Sequence, residues 1–316
     1  MQSVEKKQKC SEETFLVFGG ATGWIGQQLV QLCKDKNINV VVAKSRMENR
    51  NDIKSELDSI LPTHVLIAAG ITGRPNICWC EENKETVICV NVIGILNVVD
   101  ICWRRNIHVT NFASGCIFKY DDKHPVGARG FDESDAANFF GSFYSQTKGT
   151  VESLLRNYDN CLTLRLRMPL SSDLHPRNFI TKILNYDKVV NIPNSMTMLD
   201  DMLPRAITCA QRKLTGVLNF CNPGAISHNE ILSLYKQFID PEYAWQNFTE
   251  DECNAILKAQ RSNNTLAHDK LLEHFPDVPD IHTACTQLFL KMRTTLDLYG
   301  KETLQTKKSW VFPNQK

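Results

Sequence analysis

Tyr144 and Lys148 stand four residues apart in Phe-Tyr-Ser-Gln-Thr-Lys, a spacing that puts both on one face of a helix. A lysine cation beside a phenol favours the phenolate and brings Tyr144 toward use as a proton donor near neutral pH. Ser114 ends an earlier apolar run and can hold a substrate oxygen through its hydroxyl. A second constellation lies near the N-terminus, where Gly20, Gly23 and Gly26 frame Gly-Ala-Thr-Gly-Trp-Ile-Gly. Glycines at that spacing let the backbone turn tightly and approach a pyrophosphate. A helix that follows offers free N–H groups and its positive dipole end. Thr22, Trp24 and Ile25 lie inside this turn and join the candidate cofactor contacts. About twenty residues further on, a dinucleotide fold places the group that senses the adenosine ribose. The run Ala43-Lys44-Ser45-Arg46 has no acid before Glu48. A guanidinium beside a hydroxyl suits a 2′-phosphate, so Ser45 and Arg46 favour NADPH as the cofactor.

Such residues meet only if the chain builds a scaffold between them. Runs of β-type at 14–18, 38–43, 64–69, 107–113 and 161–167 alternate with helical stretches at 24–36, 51–61, 79–105 and 142–158. That alternation predicts an α/β fold, a Rossmann-type doubly wound parallel sheet covered on both faces. Arg74, Asn76 and Asn138 then fall near the C-terminal strand ends, where such folds bind ligands. Past Met168-Pro169 the segments shorten and Pro, Asn and Asp breaks multiply, which predicts a smaller α+β substrate-binding region capping the sheet. The expected division is a polar tail at 1–13, an NADP-binding domain at 14–168, a substrate region at 169–299 and a polar tail at 300–316. Late helices are expected at 249–258 and 280–298.

The chain's 316 residues give room for two domains of about 150 residues each. Hydrophobic residues at 42% and charged residues at 22% suffice for an ordinary core. Thirty-six basic against thirty-five acidic residues argue against a nucleic-acid binder. No eighteen consecutive residues are apolar, so no membrane span is expected. A polar start without an apolar signal core points to a cytoplasmic location. Twelve cysteines in a chain of this length read as reduced, mostly buried thiols. Cys78-Trp-Cys80 lacks a second pair and the histidines have no ligand spacing, so no metal site is expected.

Taken in order, the glycine motif, Ser114, Tyr144 and Lys148 resemble the extended short-chain dehydrogenase/reductases. Ala68-Ala69-Gly70 resembles their cofactor-side motif and Asn91 their structural asparagine. Longer stretches, among them THVLIAAGITGRPNICWCE, NFASGCIF, FFGSFYSQTK, PRNFITKI and KVVNIPNSMT, closely resemble the bifunctional nucleotide-rhamnose synthases, which are epimerase-reductases. The likeness covers about residues 14–290. It implies that a nucleotide-4-keto-6-deoxy-glucose from a separate 4,6-dehydratase is epimerised at carbons 3 and 5. The carbon-4 ketone is then reduced with NADPH to give nucleotide-L-rhamnose, UDP against dTDP being open.

The same resemblance implies Cys116 and Lys182 as the acid/base pair. Ser-Gly-Cys is similar to the Ser-x-Cys of GDP-fucose synthase; from its surroundings alone Cys116 reads as a buried structural thiol. It implies Arg74 and Asn76 beside the sugar, Arg177 and Asn178 flanking Lys182, and Val190 and Asn191 in a nucleotide-binding loop. Arg261, with Asn263, is implied on the diphosphate, a task that suits a guanidinium fork. A homodimer through the helices around 84–103 and 142–157 is implied as well. Two departures stand out. Ser114 replaces a common threonine, and the turn Phe-Gly-Gly-Ala-Thr-Gly carries alanine where a lysine often sits. The alternatives are a 4-keto-sugar reductase without epimerase activity, or a non-enzymatic NADP-binding subunit like that of methionine adenosyltransferase.

Overall fold

Thr14–Phe18 (β1) is an apolar run buried on both sides, as a central parallel strand requires. Alternate residues serve opposite faces: Phe15 and Val17 join one core cluster, Leu16 and Phe18 another. The computed structural model describes residues 13–73, 77–173, 175–249, 252 and 260–299. In it Trp24–Asp35 (α1) follows β1, then Asn39–Val42 (β2), Arg50–Ile60 (α2) and His64–Ile67 (β3). Trp79–Glu82 (α3), Lys84–Ile88 (α4) and Ile95–Trp103 (α5) come next, then His108–Ser114 (β4), Phe143–Leu155 (α6) and Cys161–Leu166 (β5). The second half holds Phe179–Ile183 (α7), Lys188–Val189 (β6), Leu199–Gln211 (α8), Gly216–Asn219 (β7), His228–Phe238 (α9) and Gln246–Asn247 (β8). Asp269–His274 (α10) and Ile281–Tyr299 (α11) close the described chain.

Six strands pair in parallel in the order β2-β1-β3-β4-β5-β7, the doubly wound sheet expected. One face is covered by α1 and α8 through Leu29, Val30, Leu199, Met202 and Leu203. The other takes residues of α2, α5 and α6, such as Ile53, Leu57, Val98, Val99 and Val151. Residue 168 is no border of this sheet. The chain leaves it at β5, builds α7 and β6, and returns through α8 to lay β7 beside β5. A third core gathers Ile180, Ile183, Ile231, Leu232, Cys285 and Phe289 from α7, α9 and α11, while β6 and β8 form a two-stranded ribbon.

The helix expected at 79–105 is interrupted. Asn83 adopts a non-helical conformation between α3 and α4, and a π-helical turn, Cys89–Gly94, joins α4 to α5. From Lys84 to Trp103 the helical stretch is 20 residues long and apolar enough to cross a membrane by composition, although no eighteen apolar residues run together. Half of its most apolar window is buried in the protein, so packing accounts for much of that apolarity. The helix expected at 249–258 lies outside the described residues, apart from residues 249 and 252. The one expected at 280–298 is α11.

Candidate active site

The glycine turn is set by a residue before the motif. Gly19 holds φ +84°, a left-handed conformation, and a Cβ there would lie 2.8 Å from the Ala69 backbone nitrogen. Gly23 N–H donates to the Gly19 carbonyl at 3.0 Å, and a Cβ on Gly23 or Gly26 would collide with that same oxygen. Ala68, Ala69 and the turn are therefore pressed together backbone to backbone. Gly23 caps α1 with no side-chain hydrogen bond, and the first turn carries no acid. The N–H groups and dipole of this twelve-residue helix stay available to an anion. Gly20, close to Val30 and Val42, packs on the sheet side, while Thr22 is exposed.

At the ribose end Arg46 is 79% exposed at its side chain and pairs with Glu48 at 2.8 Å. Glu56, on α2, accepts the Lys44 and Ser45 N–H groups at 2.7 and 3.0 Å and the Ser45 hydroxyl as well. A carboxylate thus sits beside this loop although the run from Ala43 to Met47 carries none. Linear spacing gives no sign of it.

Ser114, Cys116, Tyr144 and Lys148 converge. Ser114 ends β4 and is hydrogen-bonded to Tyr144. Its Oγ also accepts the Cys116 N–H at 3.0 Å. Tyr144, Cys116 and Cys80 share one apolar cluster, and the Lys148 ammonium lies 5.9 Å from the Tyr144 ring centroid. The start of α6 is fixed twice: Ser142 Oγ accepts the Ser145 N–H at 3.1 Å, and Glu81 accepts the Phe143 N–H at 2.8 Å. Asn91, from the π turn, accepts the Ile71 N–H and donates to its carbonyl, both at 2.8 Å. That bond holds the loop after β3, with Gly70 close to Lys148.

Burial governs the charges here. It pushes the Tyr144 phenol well above its usual value; the nearby Cys116 adds to the rise and the Ser114 hydrogen bond opposes it. Burial also brings Lys148 down to about 8. The sequence favoured a tyrosine drawn toward neutrality by its lysine, whereas the structure keeps the phenol protonated. A protonated phenol beside a shared hydroxyl is a proton donor.

Lys182, on α7, is lowered first by burial and then by the positive charges of Arg177 and Arg261. Three basic groups from two stretches of chain, 177–182 and 261, therefore lie near one another, an arrangement suited to a diphosphate. Val190 and Asn191 follow directly on β6, Asn191 exposed. Two asparagines expected on the substrate instead serve the fold. Asn178 is fully buried, caps α7 and donates to the Ser171 and Asp173 carbonyls. Asn138 donates to the Lys119 carbonyl and the Asp121 carboxylate and accepts the Lys119 N–H, which uses its amide to hold that loop. Asn263 accepts a bond from Asn194 at 3.0 Å. Arg74 and Asn76 lie outside the described residues. No cluster of three or more His, Cys, Asp or Glu groups fit to hold a metal occurs among the described residues, and the ten described cysteines are free thiols.

The sequence profile of the RmlD substrate binding domain matches residues 14–229. The chain belongs to the RmlD substrate binding domain family. Within it, the chain is 51% identical over 273 residues to a bifunctional dTDP-4-dehydrorhamnose 3,5-epimerase/dTDP-4-dehydrorhamnose reductase of Arabidopsis thaliana, covering 86% of this chain and 90% of that relative. A trifunctional UDP-glucose 4,6-dehydratase/UDP-4-keto-6-deoxy-D-glucose 3,5-epimerase/UDP-4-keto-L-rhamnose-reductase of the same plant is 52% identical over 84% of the chain. The match spans only 40% of that longer protein. The crystal structure of the UDP-rhamnose synthase from Acanthamoeba polyphaga mimivirus superposes with a TM-score of 0.85 at 41% identity, covering 89% of this chain and all of that one.

Three features of this RmlD-family chain escape sequence reasoning. Gly19, not a member of the spaced glycine triplet, makes the left-handed turn. Trp24 donates its Nε1–H to Asp173 at 2.8 Å and stacks on His175, linking α1 to the region before α7. Arg167 touches the Cys116 sulfur. Each depends on contacts over at least fifty positions of chain, which no local pattern records.

Proposed function

We propose that the chain is an NADPH-dependent 3,5-epimerase and 4-reductase that converts a nucleotide-4-keto-6-deoxy-glucose into nucleotide-L-rhamnose. The observation that carries this reading is the gathering of Ser114, Cys116, Tyr144 and Lys148 in one buried site. The activities named for the plant and viral relatives support it.

The chemistry follows from the groups present. A ketone at carbon 4 acidifies the hydrogens on carbons 3 and 5. Hydrogen bonds from Tyr144 and Ser114 to its oxygen stabilise the enolate formed when either hydrogen leaves. Cys116 and Lys182 share the proton traffic on the two faces of the ring, and a hydrogen returned to the opposite face inverts the carbon. Tyr144 then protonates the carbon-4 oxygen as the ketone is reduced. The turn from Gly19 to Gly26, where a Cβ on Gly19, Gly23 or Gly26 would strike backbone, and the uncapped start of α1 fit a dinucleotide pyrophosphate. Thr22, Trp24, Ile25 and the Ala68–Gly70 backbone would flank it, with Ser45 and Arg46 at a 2′-phosphate. When bound, the nicotinamide supplies a hydride to carbon 4. Arg177, Lys182 and Arg261 provide the positive face for the sugar diphosphate.

The substrate comes from a separate 4,6-dehydratase activity, which the trifunctional plant relatives carry on the same chain. A reduced, cytoplasmic setting suits a reaction that needs a free Cys116 thiol. A homodimer would form through α4, α5 and α6. The test is product analysis with UDP- and dTDP-4-keto-6-deoxy-glucose in deuterated water. Without NADPH, deuterium is expected at carbons 3 and 5; with it, nucleotide-rhamnose. Reduction without exchange would leave a reductase alone, and inertness toward both sugars with NADPH would overturn the reading.

A further inference from the structure

Two arginines on or beside β5 are wholly buried, and their partners differ in kind. Arg165 is answered by a carboxylate: its Nη2–H and Nε–H donate to Glu152 at 2.7 and 3.0 Å. Arg167 is 1% exposed and, among the described residues, has no ion pair. Its guanidinium donates to Ser262 Oγ and the Ser262 carbonyl, each at 3.0 Å, and to Asn194 Oδ1. Its remaining partner is the Cys116 sulfur, 3.1 Å from Nη1. The Nε of Arg167 is buried with no hydrogen-bond partner. A buried cation met only by neutral groups is costly, and a protein that keeps one has left a place for negative charge.

The backbone is shaped for this contact. Gly115 lies between Ser114 and Cys116, and a Cβ on it would come within 3.0 and 3.1 Å of the Arg167 Cδ and Cγ. The arginine stem lies flat against the bare glycine and reaches the thiol of the next residue. Thr197 fixes the strand end, accepting the Arg167 N–H and donating its own N–H to the Arg167 carbonyl. Among the described residues, the titratable and charged groups around the sulfur are Arg167 beside β5, Tyr144 on α6, Cys80 on α3 and Cys221 after β7. Arg167 alone among them brings a charge, and it is positive.

Building on the proposed epimerase reading, we propose that Arg167 is the positioning residue that makes Cys116 the proton-accepting member of the pair, its guanidinium serving as counter-charge to the thiolate. Lys182 is then the donor. In each inversion the C–H bond on carbon 3 or 5 breaks and its proton forms S–H on Cys116, while the electron pair moves into the enolate. The Lys182 ammonium returns a proton to the other face and is left as an amine. Exchange with water then takes the proton from sulfur and restores the one on nitrogen. The segment 261–263 links the two groups: Arg261 acts on Lys182, and Ser262 binds Arg167.

Arg167→Met and Arg167→Lys test the assignment against wild type. Two pH profiles are measured: deuterium uptake at carbons 3 and 5 without NADPH, and alkylation of Cys116 by iodoacetamide, read by mass spectrometry. In Arg167→Met, uptake at neutral pH is expected to fall about ten- to a hundredfold, the worth of a hydrogen bond to a charged group. The rising limbs of both profiles should move to higher pH together, with Arg167→Lys between. Reduction of the already epimerised 4-keto sugar should fall by a smaller factor. A merely structural arginine would lower the amplitudes and leave both limbs in place, which would overturn the proposal. If Arg167→Met does not fold, the shift in Arg167→Lys decides. The alkylation profile needs no sugar, so it still judges Arg167 if wild type shows no exchange and the epimerase reading itself fails.

Discussion

Lys148 carries its ammonium where burial disfavours charge and is lowered from 10.5 to about 8. Between those values the unfolded chain binds a proton that the folded chain does not, so stability rises with pH across that window. At neutral pH the folded state bears the whole cost of the buried cation, on the order of 3 kcal/mol. Without cofactor, Lys148→Met is therefore expected to melt several degrees above wild type at pH 7, and the gap should narrow toward pH 10. Reduction in the same variant should fall by about a hundredfold or more, as for other lost acid/base partners. A lower melting temperature at pH 7 would mean that the ammonium stabilises the fold. Ser114, Tyr144 and Lys148 were legible in the sequence because a strand end and a helical spacing of four fix their relative places. The direction in which Tyr144 moves was not, because burial is a property of the assembled site. Arg167 was hidden for the same reason: its partners stand at 116, 194 and 262.

Among the elements, α6 and β5 decide whether the side chains of the candidate site hold station. The contact between them is polar where a sheet face is usually apolar. Arg165, fully buried, lies 4.8 Å from the Phe118 ring centroid and also donates to Asn219 and the Asp132 carbonyl. Glu152 supplies the only carboxylate paired with it among the described residues. Replacing Glu152 by Gln strands a buried guanidinium, an effect of about 3–5 kcal/mol. A loss of that size in urea unfolding is expected, and a loss under 1 kcal/mol would show that the neighbouring acceptors suffice. The strands and helices around this pair were readable from hydrophobic period, since β1 to β5 are apolar runs bounded by turns. The breaks were harder. Nothing in Lys84–Trp103 announces that the helix widens into a π turn at Cys89–Gly94, because the cause is tertiary, the bond pair that ties Asn91 to Ile71. The return of β7 to the main sheet was equally silent, since pairing across fifty residues leaves no periodic trace.

At the scale of the whole molecule, the start of α1 and the region beyond β5 are clasped where Trp24 meets Asp173 and His175. The opposite flank carries apolar surface that the fold itself does not cover. Ile88, Ile93, Trp103 and Leu154 are each 40–47% exposed, and they come from α4, the π turn, α5 and α6, which pack side by side. Arg50 and Arg104 both reach Asp100 at its margin, so charge rims an apolar centre. A surface of that make-up is what a protein interface presents: apolar anchors inside a polar rim. The composition that made 84–103 read as a long helix packs it on the sheet within, and the proposed homodimer would cover its outer flank with a second copy. If that copy is present, light scattering should give about twice the 36.0 kDa chain mass, and Ile93→Glu with Leu154→Glu should return it to the single value. The substitutions lie on the surface, so the melting temperature of each monomer should change little. A wild-type mass of one chain at working concentration would remove the dimer and leave the apolar flank to another partner.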